Sequence, residues 1–379
     1  MKETYIAIVF LLLLASCHSD DDTDPILLTA DFTASQNAID EGESINFTDL
    51  SMGDPTAWAW TFEGGTPSSS LEQNPTVSYS VEGTYQVSLT VSSGGAEDTE
   101  TKAGFITVSK VPVQTGLFDE TIMHDGLERE YLLYIPDTYT GQEAVPIVFS
   151  LHGAIGTKEK QFELSQFDLI ADQENFILVT PQATVPNMVT FWNNTSDPDK
   201  ADDVGFINTL IDEMISRYNV DAARIYAAGS SNGGYMCLQL ACELSDKIAA
   251  VAAVKGVMND TQLANCNPSN PIPILQLHGT EDNNVSYSLV PETLQFWINF
   301  NQTTTTPQVF PVDDPDPNNG NTAEYVLLDS GLENTTVEHF RVIGGEHDWF
   351  GEPGTNYDIN ASEEAWKFFD KFRLNGINQ

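Results

Sequence analysis

Gly229-Ser230-Ser231-Asn232-Gly233 sets one serine between two glycines, each two residues away. A serine hydroxyl attacks a carbonyl only when a base takes its proton and an acid orients that base. The Gly-x-Ser-x-Gly run lies between an apolar strand, Arg224–Ala228, and a helical run, Tyr235–Glu243. That is the pattern of a nucleophile elbow, which exposes the hydroxyl at a tight strand-to-helix turn. Ser230 is the wrong centre, because its neighbours two away are Ala228 and Asn232. A Gly/Ser run alone also suits a plain turn, so the rest of the chain has to decide. An elbow needs an acid and then a histidine downstream. Asp282 follows the apolar run that ends at Leu277, with Glu281 as the nearby alternative. His347 sits in Gly344-Gly345-Glu346-His347-Asp348-Trp349. His278 precedes the acid, and His339 falls inside a predicted strand, so His347 is the expected base. The oxyanion needs two backbone N–H donors. Asn232, directly after the nucleophile, is one. Ala154 in Leu151-His152-Gly153-Ala154 is the other, with Gly153 beside it. His152 is expected to hydrogen-bond the loop backbone rather than to act chemically.

These groups need a scaffold that brings distant loops to one edge. Eight strands are predicted: Leu117–Met123, Arg129–Tyr134, Val145–Leu151, Phe176–Thr180, Arg224–Ala228, Ala249–Val254, Pro273–Leu277 and Thr336–Ile343. Several are unbroken apolar runs, as strands covered on both faces must be. Helical runs alternate with them: Gly205–Tyr218, Gly234–Glu243, Pro291–Asn299 and Ala361–Leu374. Asp202 or Asp203 suits the N-cap of the first. The pattern predicts an α/β-hydrolase fold, a doubly wound and mostly parallel sheet, over residues 116–379.

Five motifs occur in order: Leu151-His152-Gly153, Asp202-Asp203-Val204-Gly205-Phe206, Gly229 to Met236, His278 to Asp282, and Gly344 to Trp349. Together they resemble the secreted esterase family of polyhydroxybutyrate depolymerases and feruloyl or acetylxylan esterases, carbohydrate esterase family one. The resemblance implies a Ser231, Asp282, His347 triad with no cofactor and no metal. It implies a polymeric ester substrate, with feruloyl or acetyl esters of polysaccharide expected and a polyester as the alternative. A peptidase of the prolyl-oligopeptidase type shares Gly-x-Ser-x-Gly-Gly, but the Asp-Asp-Val-Gly-Phe run argues against it. A non-catalytic adhesin would leave an ordered triad unexplained. The resemblance also implies substrate contact for Trp192, with loop packing as the alternative reading. Ala154 stands where the family often has cysteine or glycine, which leaves a backbone donor untouched. Glu346 and Asp348 flank His347 and are expected to raise its pKa.

Residues 28–110 differ in texture. Trp58-x-Trp60-x-Phe62, Asn74-Pro75 and Gly83 to Val91 alternate apolar and polar residues between turn signals, as short half-buried strands do. They resemble a PKD domain, an immunoglobulin-like β-sandwich, which acts as a spacer or a weak polymer binder. The aromatics are expected in its core. Residues 111–115 read as a linker.

Residues 1–16 read as a signal peptide. The apolar run Tyr5 to Ala15 falls short of the roughly 20 residues that a spanning helix needs. Leu14-Ala15-Ser16-Cys17 resembles the lipobox of bacterial lipoproteins, which makes Cys17 the expected lipid site. The acidic tether of residues 17–27 resembles that of surface-exposed Bacteroidetes-type lipoproteins. An outer-membrane lipoprotein facing outward, touching the membrane through lipid alone, is the expectation. A formal charge of −41 repels nucleic acid and anionic lipid, which excludes both as binding partners. Three cysteines remain. Cys237 and Cys242 point to different sides of a helix, and Cys242 with Cys266 is the candidate disulfide, free thiols being the alternative. The acidic Asn301–Asn321 segment is expected to be a solvated loop.

Overall fold

The computed structural model describes residues 27–184, 189–374 and 376–377. Cys17 and the leader lie outside the described residues. The chain divides into two compact units, Met1–Pro112 and Val113–Gln379.

The first unit is a sandwich of two sheets. One contains Phe32–Ala34, Ser44–Asp49, Thr76–Tyr79 and Gly65–Thr66; the other contains Ala38–Asp40, Ala96–Ser109, Gly83–Ser93, Ala57–Phe62 and Ser69–Ser70. Alternation does the folding here. In Gly83–Ser93 the inward Val87, Leu89 and Val91 are fully buried, and they meet Ile45, Phe47 and Val77 of the other sheet. Trp60 and Phe62 stack in this core. Trp58, two residues earlier on the same face, packs half-buried at the edge of this core, and its indole N–H donates to Asp49 at 2.8 Å.

The second unit is built on a ten-stranded sheet. In spatial order its strands are Gly116–His124, Leu127–Ile135, Ile177–Pro181, Val145–Leu151, Val220–Ser230, Ala250–Val254, Ile274–Gly279, Val337–Ile343, Thr322–Leu328 and Gln308–Pro311. The six from Ile177–Pro181 to Val337–Ile343 are mutually parallel. The central runs Val145–Leu151, Ala250–Val254 and Ile274–Gly279 are buried at every position. Both faces are covered, one by the core around Phe206, Leu210 and Met236, the other by that around Phe167, Trp366 and Phe369.

Two of the ten strands were not expected. Gln308–Pro311 and Thr322–Leu328 form an antiparallel hairpin that extends the sheet past Val337–Ile343. The acidic turn Asp313–Gly320 joins them, so the acidic composition masked the flanking strands. The last helix also stops early, at Phe369, and Phe372–Arg373 then pairs with Gly376–Ile377. Asp202 is the N-cap of the Asp203–Arg217 helix, accepting from Gly205 N–H at 2.8 Å. Cys242 and Cys266 are joined in a disulfide, and Cys237 is buried as a free thiol.

Candidate active site

Ser231 follows the strand Val220–Ser230 and precedes the helix Asn232–Glu243. Its backbone has φ 51° and ψ −115°, a left-handed conformation that costs a non-glycine residue free energy and collects at functional sites. The surroundings hold it there. Its N–H donates to Val254 O at 2.8 Å, and its carbonyl accepts from Tyr235 N–H at 3.0 Å. Crowding explains the glycines: a Cβ on Gly229 would lie 2.2 Å from Gly233 O, and one on Gly233 would lie 2.3 Å from Leu151 O.

Asp282 lies just past the strand Ile274–Gly279, and His347 follows the strand Val337–Ile343. Because these strands are adjacent and parallel, both loops emerge at one edge. His347 Nδ1–H donates to Asp282 Oδ2 at 2.6 Å. Asp282 Oδ1 accepts the N–H groups of Asn284 and Val285, both at 2.8 Å. Burial alone would raise the Asp282 carboxyl. Hydrogen bonds from His278, Val285, His347 and Asn284 outweigh that and hold it well below the usual carboxylate range.

The base departs from expectation. Burial pushes His347 down from its ordinary value; the hydrogen bond to Asp282 opposes this, and the Lys255 charge adds to it. The carboxylates expected to raise it do not dominate. Glu346 is exposed, and Asp348 accepts from Tyr357 O–H at 2.5 Å. The sign for catalysis follows. A base must be neutral to take the serine proton, so a lowered pKa keeps it active further into acid. The acid limb of kcat/KM is expected below pH ~6.5, the ordinary histidine value. A pH–rate profile with that limb centred above pH 7 would contradict this.

Ser231 and His347 line one cavity of about 400 Å³ together with Gly153 and Ala154. Asn232 opens its helix, where first-turn N–H groups have no intrahelical partner. Ala154 sits in a loop whose turn bonds run from Ile155 N–H to Thr190 O and from Gly156 N–H to Gly153 O. Those bonds leave its own N–H out. His152 stiffens this loop from beneath. Its Nε2 lies 3.0 Å from Ala183 N–H, which makes Nε2 the acceptor, and Nδ1–H then donates to Gly153 O at 2.7 Å.

Trp192 requires a correction. It is fully buried and does not line the cavity. Its indole N–H donates to His152 O at 2.8 Å, and its backbone N–H donates to Asn232 Oδ1 at 2.7 Å. It therefore ties the His152 loop to Asn232 from inside the fold, away from the cavity. The Asp-Asp-Val-Gly-Phe run does similar work. Buried Asp203 accepts from Arg129 at 2.6 Å and from Asn193 N–H at 2.7 Å, anchoring the loop that carries Trp192.

Three features escaped the sequence reading. His278 is fully buried, with Nε2 at 2.8 Å from Val285 O and 3.3 Å from Asp282 Oδ2. Its spacing of four from the acid was the available signal. Ile155 and Lys255 both have left-handed backbones, φ 64° and φ 50°, and both line the cavity; nothing in their residue types announced it. His339, by contrast, is buried and structural, as its place inside a predicted strand implied: Nδ1 meets Gln276 O, Nε2 meets the Tyr287 hydroxyl, and burial lowers it to about 4.

Comparisons with known proteins agree with this architecture. Residues 29–103 match the PKD domain model, and residues 187–316 match the phospholipase/carboxylesterase model. The chain is 34% identical over 162 residues to feruloyl esterase B of Piromyces equi, covering 42% of this chain and 30% of that protein. It is 28% identical over 165 residues to a bifunctional acetylxylan esterase/xylanase of Neocallimastix patriciarum, covering 44% and 23%. The matches thus span a third or less of these two relatives. Feruloyl esterase D of Neurospora crassa is 24% identical over 261 residues, covering 65% of this chain and 83% of that protein. In fold, the chain is similar to an acetyl xylan esterase from Aspergillus awamori, with a TM-score of 0.53 at 17% identity over 67% of this chain and 98% of the other.

Proposed function

We propose that this chain is a serine carboxylic-ester hydrolase that removes feruloyl or acetyl groups from a polysaccharide. The carrying observation is that His347, held by Asp282, lines the same cavity as Ser231, whose backbone is strained at φ 51°. In this reading His347 takes the proton of Ser231 Oγ as that oxygen attacks the ester carbonyl. The N–H groups of Asn232 and Ala154 meet the oxyanion. His347 passes the proton to the leaving alkoxide, and water, activated by the same base, then releases the acid. Asp282 stays ionised and holds His347 with Nδ1 as donor. Ile155, 79% exposed at the rim, and Leu164 offer an apolar wall to an acyl group. The names of the relatives, feruloyl and acetylxylan esterases, support the same substrate class.

The lipobox-like Leu14-Ala15-Ser16-Cys17 supports anchoring by lipid on Cys17 at the outer surface of the outer membrane, with the PKD unit as spacer or weak polymer binder. An ester panel tests the activity. Acetate from acetylated xylan, or ferulate from methyl ferulate, is expected as the main product. Hydroxybutyrate from polyhydroxybutyrate as the main product would overturn the polysaccharide assignment.

A further inference from the structure

The charge on this chain is lopsided: 15 basic residues stand against 56 acidic ones. In the catalytic unit almost every cation is claimed. Arg129 is held by Asp203, Lys158 by Asp119 and Glu130, Arg217 by Glu120, and Lys371 by Glu338. The remaining ones are paired in the same way, with two exceptions. Among the described residues only Lys160 and Lys255 of this unit have no carboxylate within 4.0 Å, and both line the cavity of Ser231.

Lys255 is the more telling of the two. It is 8% exposed, and a buried ammonium is costly unless an anion compensates it. It donates to a carbonyl, His347 O, at 2.9 Å. Its backbone is left-handed, at φ 50°, directly after the strand Ala250–Val254. Three carboxylates act on it from a distance: Glu352, Asp348 and Asp282. Asp282 is engaged by His347 and Asp348 by Tyr357. Glu352 lines the cavity too, so two cations and one carboxylate face the space. Their side of the cavity is defined by His347, which hands its proton to the departing alcohol. Lys255 touches the His347 loop, Glu352 follows that loop in sequence, and the Lys160 charge acts on Glu352 across the same cavity.

We propose that Lys160 and Lys255 form an anion subsite on the leaving-group side of the Ser231 cavity. It takes a carboxylate carried by the alcohol part of the ester, as on a uronate-bearing polysaccharide. The inference rests on the esterase reading and adds which alcohols are favoured. A surface this acidic repels a polyanion at long range. Salt screens that repulsion within about 10 Å at 0.1 M, while a cation in the cavity acts at contact.

The test uses the whole protein and two acetyl esters that differ in one group. 4-Acetoxybenzoate has a carboxylate on its leaving phenol, and 4-acetoxybenzamide has a neutral amide there. The quantity read is the ratio of their kcat/KM values. Lys160→Gln is expected to lower the ratio about threefold and Lys160→Glu about tenfold, at low salt, with amide hydrolysis retained. Both effects shrink in 1 M salt, where screening acts within about 3 Å. Lys255→Met, which also frees the His347 loop, lowers both rates but the carboxylate's more. Glu352→Gln raises the ratio. An unchanged ratio in both Lys160 variants overturns the subsite. Failure of the wild type to cleave either ester overturns the esterase reading instead. The subsite is then judged by equilibrium binding of oligogalacturonate against neutral xylo-oligosaccharide, and equal binding in wild type and Lys160→Glu refutes it.

Discussion

Ser231→Ala lowers the kcat for p-nitrophenyl acetate by about a thousandfold or more, while the protein remains folded. The magnitude follows from the role. Without Oγ there is no acyl-enzyme, and only the oxyanion donors and binding are left to assist water. The fold survives because the strain at this position is a backbone matter. The bond from Ser231 N–H to Val254 O at 2.8 Å and that from Tyr235 N–H to Ser231 O at 3.0 Å are both made by main-chain atoms that alanine retains. Initial rates, with a fluorophosphonate probe on the same samples, check the claim. Activity above about a hundredth of wild type, or labelling of the variant, would remove Ser231 as nucleophile. Ser230→Ala serves as the comparison, since Ser230 is a buried serine of the same turn, lining the same cavity, but is not the proposed nucleophile.

Asp282→Asn is the second large effect, expected at about a hundred- to ten-thousandfold in kcat. The carboxylate serves donors on both oxygens. Oδ1 accepts from Asn284 and Val285, while Oδ2 accepts from His347 at 2.6 Å and lies 3.3 Å from His278 Nε2. An amide has one oxygen. If it keeps the two backbone donors, its NH₂ faces His347 Nδ1 and drives that nitrogen to become the acceptor. The proton then sits on Nε2, where the base has to be free. Kinetics on the purified variant, with circular dichroism as the fold check, decide it. A loss of less than tenfold would mean that Asp282 does not orient His347, and Glu281→Gln would then be the variant to measure.

The two variants probe parts of the site that differ in how they could be read. The elbow is local. Its glycines answer to contacts with Gly233 O and Leu151 O, and the tightness of a strand-to-helix turn imposes such contacts wherever the turn occurs. Asp282 and His347 were legible through order, since loops after successive parallel strands emerge at the same edge of the sheet. Ala154 and Asn232 needed only a backbone N–H at the right place. The expectation about Glu346 and Asp348 failed because neighbours in sequence on an irregular loop need not face the same way. Tyr357, from a later turn, takes the Asp348 carboxylate. Trp192 misled for a related reason. A large aromatic on a long loop is equally consistent with exposure and burial, and only the packing against His152, with ring centroids 5.1 Å apart, chooses.

The hairpin of Gln308–Pro311 and Thr322–Leu328 marks another limit of pattern reading. Its outer strand is exposed at every position, so alternation between faces gives no signal there, and pairing alone makes it a strand.

From the sequence alone came the two-unit organisation, the α/β-hydrolase class, the proposed nucleophile and the order of its proposed partners. All of these are written in periodicity, in glycine spacing and in position along the chain. Tertiary structure decided what surrounds the proposed triad. It placed His278 against Asp282, Trp192 beneath the His152–Ala154 loop, and Ile155, Lys160 and Lys255 around the cavity. Such contacts join residues tens of positions apart through loops of irregular path. They depend on where the backbone turns in three dimensions, which no local pattern records.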